Sequence, residues 1–234
     1  MEKQIALVLE NIAKAATANG RLPEAITLVA ATKTQTSDTI RAAIAAGIKV
    51  CGENRVQELQ AHLDDHAYEG AAVHFIGHLQ TNKVKQVVGH VDLIESVDSQ
   101  KLLNAIDAQA EKMAIVQDVL LEVNIASEEN KGGAAPNNVL PLAQYALTLP
   151  NIRLRGLMCI PPADASETQT IAFFEQTQKL FVDMVEKIGH NNPNIDCLSM
   201  GMSGDYPLAV AAGATMVRVG TALFGARAAL SPKD

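Results

Sequence analysis

Aromatic side chains are scarce in this chain, which has no tryptophan, three tyrosines and five phenylalanines among 234 residues. Positive charge is also in deficit, because 19 Lys and Arg residues stand against 26 Asp and Glu residues, for a formal net charge of -7. Nucleic acid binding needs clustered positive charge, and single strands also need aromatic stacking surfaces. The composition therefore argues against a nucleic acid partner.

Long apolar runs are missing as well. No segment approaches the roughly 18 residues that a membrane-spanning helix needs, and Glu2 and Lys3 interrupt the place where a signal peptide would have its apolar core. Cys51, Cys159 and Cys197 are odd in number, widely spaced and without a Cys-x-x-Cys pair. This usage is typical of reduced core thiols in a cytoplasmic protein. We expect no metal, no disulfide and no membrane contact.

Short β-branched apolar segments alternate with amphipathic helical patterns along the whole chain, which indicates parallel strands joined by helices. The pattern predicts a helix at about 2–18 and then eight strands, at 26–33, 49–54, 72–79, 93–98, 118–126, 153–161, 197–202 and 216–225. No linker divides the chain, so we expect a single domain over 1–234. The predicted fold is α/β, a (β/α)8 TIM barrel with an extra N-terminal helix.

An open, doubly wound sheet would show the same alternation of strands and helices. That fold binds dinucleotides through a Gly-x-Gly-x-x-Gly turn after the first strand. Here the first strand runs into "TKTQTSD" instead. We predict that Ser37 caps the helix that follows and that Gly47 ends it.

Lys33 stands at the end of the first predicted strand, and in β/α barrels the chemistry takes place at these strand ends. Partial desolvation there lowers a lysine pKa, and an unprotonated amine can attack an aldehyde. The alternative is a lysine that extends to solvent or pairs with Glu53. The residues alone leave both interpretations open.

Arg218 lies between apolar neighbours in "MVRVG", so its guanidinium needs an acceptor to offset desolvation. A structural carboxylate is one candidate, and a pyridine nitrogen or a phosphate oxygen is the other. Gly220 and Thr221 in "VGTALFG" and Ser203 in "GMSGD" could donate to phosphate, which such barrels often bind after strands 7 and 8.

Two further polar features carry weaker signals. Asn54 in "GEN" could donate to a ligand oxygen or simply form a turn. His74 and His78 lie on one face of a strand, but no third metal ligand has suitable spacing, so we interpret them as core residues or residues that support a site.

Five segments in order, "LVAATKTQ", "GENRVQEL", "HFIGHLQTNK", "LSMGMSGDY" and "GATMVRVGTALFG", resemble the pyridoxal phosphate homeostasis proteins, single-domain relatives of the alanine racemase barrel. The resemblance covers nearly the whole chain. It implies that Lys33 holds pyridoxal 5'-phosphate (PLP) as an internal aldimine and that Arg218 faces the pyridine nitrogen. It also implies phosphate contacts from Ser203, Gly220 and Thr221, a place for Asn54 near the ring, and Met200 as a pocket residue.

PLP binding need not mean catalysis. An arginine beside the pyridine nitrogen disfavours its protonation and weakens the ring as an electron sink. Racemisation also needs acid and base groups on both faces of the substrate carbon. In alanine racemase the second group comes from a separate domain and the partner subunit, and we expect no such domain here because the chain ends at Asp234.

We therefore expect a PLP carrier or regulator of PLP supply, without catalytic turnover and monomeric. Delivery of the cofactor to apo PLP-dependent enzymes is implied by the resemblance alone. Two alternatives remain, a PLP-dependent amino-acid racemase and a metal-free Schiff-base aldolase that acts on a sugar phosphate.

Overall fold

All eight predicted strands are present in the computed structural model, which describes residues 1–128 and 131–225. The strands are parallel and pair in chain order until the eighth meets the first, so the sheet is a closed barrel. They are β1 Thr27–Ala31, β2 Val50–Glu53, β3 Ala72–Phe75, β4 Leu93–Val97, β5 Gln117–Val123, β6 Ile152–Cys159, β7 Cys197–Ser199 and β8 Met216–Val219. The predicted fold class is confirmed. The last nine residues of the expected 1–234 domain lie outside the described ranges.

Eight α-helices accompany the strands within the described ranges. They are α1 Glu2–Ala18, α2 Ser37–Ala45, α3 Val56–Asp64, α4 Gln100–Lys112, α5 Val139–Ala146, α6 Glu167–Ile188, α7 Tyr206–Ala211 and α8 Thr221–Phe224. Between β3 and β4 the connection is a 3-10 helix, Thr81–Gln86. None of the described helices has both the length and the hydropathy needed to span a membrane.

The predicted strands run past the observed ends. The largest excess is in the last one, expected to reach Gly225, because the chain leaves the sheet after Val219 and forms α8. There the backbone N–H of Gly220 donates to the Ser203 side chain. The apolar pattern extends beyond the strands, to residues such as Ile76 after β3 and Ile160 after β6. Apolar character alone therefore does not mark where a strand ends.

The extra N-terminal helix is confirmed, and it packs against α7 and α8. Its buried face consists of Ile5, Val8, Ile12 and Ala16, which recur at helical spacing. Asn11 donates to the Tyr206 hydroxyl at 3.0 Å, and Arg21 just beyond α1 donates to the Val210 carbonyl at 3.0 Å. The helix thus covers the side of the barrel where the chain returns to β8.

The core divides into two groups because successive strand residues point to opposite faces. On β1, Leu28 and Ala30 pack toward the helices, whereas Val29 and Ala31 point into the barrel. The same alternation continued along the chain would direct residue 33 inward, although the strand itself has ended. Side chains that enter the barrel mouth can therefore be identified by counting in twos from the interior residues.

The cap of α2 differs from the prediction. Thr36, one residue before Ser37, is the N-cap, and its hydroxyl accepts from the backbone N–H of Thr39 at 3.2 Å. Threonine caps a helix by the same bond as serine, so the sequence allowed both positions. Gly47 follows the helix with a φ of 107°, a conformation that favours glycine.

Gly156 provides a test of the barrel geometry. It lies at a register shift in β6, with a φ of 148°, and an added Cβ would lie 1.8 Å from the carbonyl oxygen of Cys197 on β7. We expect Gly156→Ala to lower the free energy of unfolding by about 2 kcal/mol or more. Gly204→Ala is the matched control, because its Cβ would meet nothing within 4 Å. Urea denaturation measures both, and equal stabilities would contradict this packing.

Candidate functional site

A cavity of about 430 Å³ opens at the C-terminal end of the barrel, where β/α barrels place their functional groups. Its wall combines apolar side chains, two cationic side chains and the glycine-containing loops after β7 and β8. The lining residues are Ala31, Lys33, Asn54, Ile76, Ile160, Met202, Ser203, Gly204, Arg218, Gly220 and Thr221. Six of the seven residues predicted for the site therefore line one cavity.

Lys33 enters this cavity from the loop between β1 and α2, two residues after the strand ends. The residue is half-buried. Thr34 follows with a φ of 64°, which is unusual for a residue other than glycine. Its backbone N–H donates to the Glu58 carboxylate at 3.1 Å. The loop is thus held in a specific conformation directly beside the lysine.

Arg218 lies at the base of the cavity and is only 4 % exposed. One guanidinium nitrogen donates to the Ser199 hydroxyl, and the other donates to the Cys159 carbonyl at 2.8 Å. Its Nη1 also lies 3.8 Å from a Glu95 carboxylate oxygen. Of the two acceptors expected for this arginine, the structure thus contains the structural carboxylate.

Glu95 is fully buried and is the centre of this polar group. One of its oxygens accepts from the Ser199 hydroxyl at 2.6 Å, and the other lies 2.8 Å from His74 Nδ1. Burial would raise the pKa of Glu95. The contact with His74, the positive charge of Arg218 and the bond from Ser199 outweigh burial and hold its pKa below the usual value. A carboxylate therefore faces Arg218 in the barrel.

The loops after β7 and β8 are joined by Ser203, whose Oγ accepts from the backbone N–H of Gly220 at 3.1 Å and of Ala222 at 3.2 Å. Ser203 already accepts from the Gly220 N–H in this structure, and a phosphate contact from Gly220 stays a prediction. Gly220 also provides space, since an added Cβ would lie 3.3 Å from the Cβ and carbonyl oxygen of Ala31. The backbone N–H groups of Gly204 and Thr221 have no protein acceptor within the described residues.

Asn54 borders the cavity directly after β2, and its side-chain oxygen is buried without a hydrogen-bond partner among the described residues. Its backbone is held by a close approach from Gly77, where an added Cβ would lie 2.0 Å from the Asn54 carbonyl oxygen. The turn and ligand interpretations of Asn54 are thus compatible, because the tight backbone leaves the amide at the cavity.

Met200 does not line the cavity, which corrects its expected place there. It is fully buried in the core between barrel and helices, and Met202, two residues later, borders the cavity instead. β7 ends at Ser199, so Met200 already belongs to the loop, and the glycine at 201, with a φ of 93°, redirects the chain. The sequence carried no signal for this turn beyond that glycine.

The comparisons with known proteins agree with this fold. Residues 8–228 match the family model for the alanine racemase N-terminal domain. The pyridoxal phosphate homeostasis protein of Aquifex aeolicus is 42% identical over 225 residues, 96% of this chain and 97% of the relative. That of Escherichia coli K12 is 40% identical over 226 residues, 95% of each. This chain belongs to the pyridoxal phosphate homeostasis protein family.

A solved structure in the same family is PipY of Synechococcus elongatus with PLP bound, which is 35% identical. It superposes with a TM-score of 0.79 and covers 92% of this chain and 100% of its own. The resemblance inferred from five sequence segments is therefore confirmed over nearly the whole length of the chain.

Sequence reasoning missed the group beneath the cavity of this family member. His74, Glu95 and Ser199 are all buried and support Arg218, and of these only His74 had been singled out. Alternation along β4 and β8 could have paired Glu95 with Arg218, because both face the barrel interior. His78 is exposed, lies near Asp98 and Glu122, and is not among the described residues that line the cavity.

We predict that Glu95→Gln lowers the free energy of unfolding by about 2 to 4 kcal/mol at pH 7, because it leaves Arg218 buried beside a neutral amide. The pKa of Glu95 is lower in the folded protein than its usual 4.5. Its contribution to stability is therefore full above that value and is lost as pH falls through the lowered pKa. Glu95→Gln should accordingly show a shallower loss of stability on the acid side.

Denaturation curves from pH 3 to 7 measure this effect. Glu111→Gln on the exposed face of α4 is the control and should retain the wild-type curve. An acid limb as steep in Glu95→Gln as in wild type would mean that Glu95 does not support Arg218 by its charge.

Proposed function

We propose that this protein binds PLP covalently through Lys33 and serves PLP homeostasis as a carrier without catalytic turnover. The single observation that supports this most strongly is that one cavity contains a half-buried lysine, a buried arginine and two loops with available hydrogen-bond donors. These features match the three distinct ends of PLP, which are its aldehyde, its pyridine nitrogen and its phosphate. The family relationship supports the same assignment.

The residues present fit the cofactor. The Gly204 and Thr221 N–H groups and the Ser203 and Thr221 hydroxyls offer neutral donors for a phosphate, and Gly220 leaves room for it beside Ala31. Ile76 and Ile160 provide apolar surface for a planar ring. The Asn54 amide, whose oxygen lacks a partner within the described structure, can face the polar substituents of the ring.

Bound PLP supplies an electrophilic aldehyde and a ring that can accept electrons. Lys33 contributes the amine for attachment. Arg218 contributes a fixed positive charge, and its hydrogen bonds to Ser199 and Cys159 keep it from moving away. With PLP bound, Arg218 would face the pyridine nitrogen, and because a cation there disfavours protonation of that nitrogen, it would limit the ring as an electron sink.

The described residues that line the cavity do not supply the groups that a racemase needs. Among the described residues that line it, only Lys33 and Arg218 are ionisable. An arginine is a poor proton donor because its pKa is far above neutrality, so one usable base remains on one side of the site. This supports a carrier over an amino-acid racemase, and the expected partners are PLP and apo PLP-dependent enzymes.

We infer further that the protein is a single domain, that it is monomeric and that it resides in the cytoplasm.

Covalent attachment is tested by Lys33→Ala. Wild-type protein incubated with PLP should turn yellow, and borohydride should fix the cofactor on the peptide that contains Lys33, as read by mass spectrometry. Lys33→Ala should lose both signals, because no other lysine lines the cavity within the described residues. Lys101→Ala, on the surface of α4, should behave as wild type. Attachment at a different lysine, or a protein that stays colourless, would refute the proposal.

Carrier and enzyme are separated by following the loaded protein with a panel of amino acids and with an apo PLP-dependent enzyme. We expect no loss of chirality at enzyme-like rates, which are about 1 s⁻¹ or faster, and we expect the apo enzyme to gain activity as the yellow colour of the carrier declines. A free PLP control at equal concentration corrects for release into solution. Turnover of one amino acid at enzyme-like rates would establish a racemase or another PLP enzyme instead.

A further inference from the structure

A buried polar cluster lies directly behind the loop that carries Lys33. It consists of Thr32, Glu53, His62 and Tyr68, and we call it the Glu53 cluster. One oxygen of the fully buried Glu53 accepts from Thr32 Oγ1 at 2.6 Å and from the Tyr68 hydroxyl at 3.0 Å. The same oxygen lies 3.1 Å from His62 Nδ1. None of these side chains lines the cavity, so the proposed cofactor contacts leave the cluster unexplained.

The cluster holds the loop on both sides of the lysine. Thr32 immediately precedes Lys33, and its hydroxyl binds Glu53. Gln35 follows two residues after Lys33, and its backbone carbonyl lies 3.1 Å from His62 Nε2. The Thr34 N–H between them donates to Glu58 on α3. Thr32, Thr34 and Gln35 are therefore anchored to β2 and α3.

The bond from His62 to Gln35 has a defined direction. A carbonyl oxygen can only accept, so His62 Nε2 carries the hydrogen. This holds for the neutral ring with its hydrogen on Nε2 and for the imidazolium. Either of these two forms of His62 can therefore hold the Gln35 carbonyl.

Burial shifts the pKa values of ionisable groups in and beside the cluster. Burial raises the pKa of Cys51 to about 12 and that of Tyr68 further, so both stay uncharged. Burial also raises the pKa of Glu53, and the bonds from Thr32 and Tyr68 and the nearby His62 oppose this effect. Glu58 on α3 and Asp65 beyond it are the other charged groups that act on the cluster.

We propose that Glu53 and His62 are positioning residues for Lys33, and that they hold its backbone through Thr32 and Gln35 so that the amine is presented to the cofactor aldehyde. The lysine side chain is long and flexible, so a fixed backbone restricts the region in which its amine can react. The inference rests on the proposed function for its cofactor readout. Its structural readout needs no cofactor.

The experiment compares His62→Phe and Thr32→Val with Tyr68→Phe. His62→Phe keeps a buried ring and removes the bond to Gln35, and Thr32→Val keeps the shape and removes the bond to Glu53. Tyr68→Phe removes a hydroxyl from the same cluster that contacts the side chains of Glu53, His62 and Thr32 but no backbone group of the loop among the described residues. It is therefore the matched control for lost burial and polarity. His62→Gln, whose amide can donate to Gln35, is the conservative rescue.

Amide hydrogen exchange of the segment 32–36 is measured in the protein without PLP, and the rate of borohydride-fixed attachment to Lys33 is measured with PLP. His62→Phe and Thr32→Val should each exchange faster and attach PLP more slowly, by about fivefold, the factor expected from one lost hydrogen bond. Tyr68→Phe should stay within about twofold of wild type in both, and His62→Gln should recover part of the loss.

Equal exchange rates in wild type, His62→Phe and Thr32→Val would overturn the positioning role, whatever the wild type does with PLP. Acceleration in Tyr68→Phe as large as in His62→Phe would also overturn it, since the effect would then be general loosening of the cluster. A wild type that fails to attach PLP would refute the proposed function, while the exchange comparison would still decide whether the cluster fixes the loop. Glu58→Ala, on a partly exposed side chain, releases Thr34 and provides a variant that should fold.

Discussion

The ion pair between Arg218 and Glu95 is the interaction on which the site depends. Both side chains lie inside the barrel, and an arginine left there without acceptors would cost several kcal/mol. Ser199, the Cys159 carbonyl and Glu95 together satisfy the guanidinium, and His74 completes the group. These contacts hold the positive charge of Arg218 in one position at the base of the cavity. A cationic side chain surrounded by solvent would not be fixed in this way.

The rest of the site is arranged above that charge. Lys33 approaches from the β1 side, and Ser203 joins the two loops that offer backbone donors on the β7 and β8 side. This places an amine, a cation and phosphate-type donors around one space. The same arrangement explains why binding without turnover is the better proposal, since the described lining residues supply a point of attachment and no second acid or base.

Much of this could be predicted from the sequence. The β/α alternation determined the fold class, and the polar residues that end or interrupt apolar strands identified Lys33, Asn54 and Arg218, which the structure brings to one cavity. Residues in loops were less predictable. Met202 borders the cavity in place of Met200 because of the turn at residue 201. The Gly220 N–H bonds to Ser203 because the loops after β7 and β8 meet.

By itself, the sequence determined which strands form, their order and which residues point into the barrel, because these follow from local periodicity and from the chain direction that parallel strands require. Only the tertiary structure decided which polar groups satisfy one another. Glu95 reaches Arg218, Ser203 joins Gly220, and Glu53 and His62 hold the Lys33 loop, all through contacts between separate elements. The physical reason is that a buried hydrogen bond depends on positions within a few tenths of an ångström, and closure of the whole barrel sets those positions.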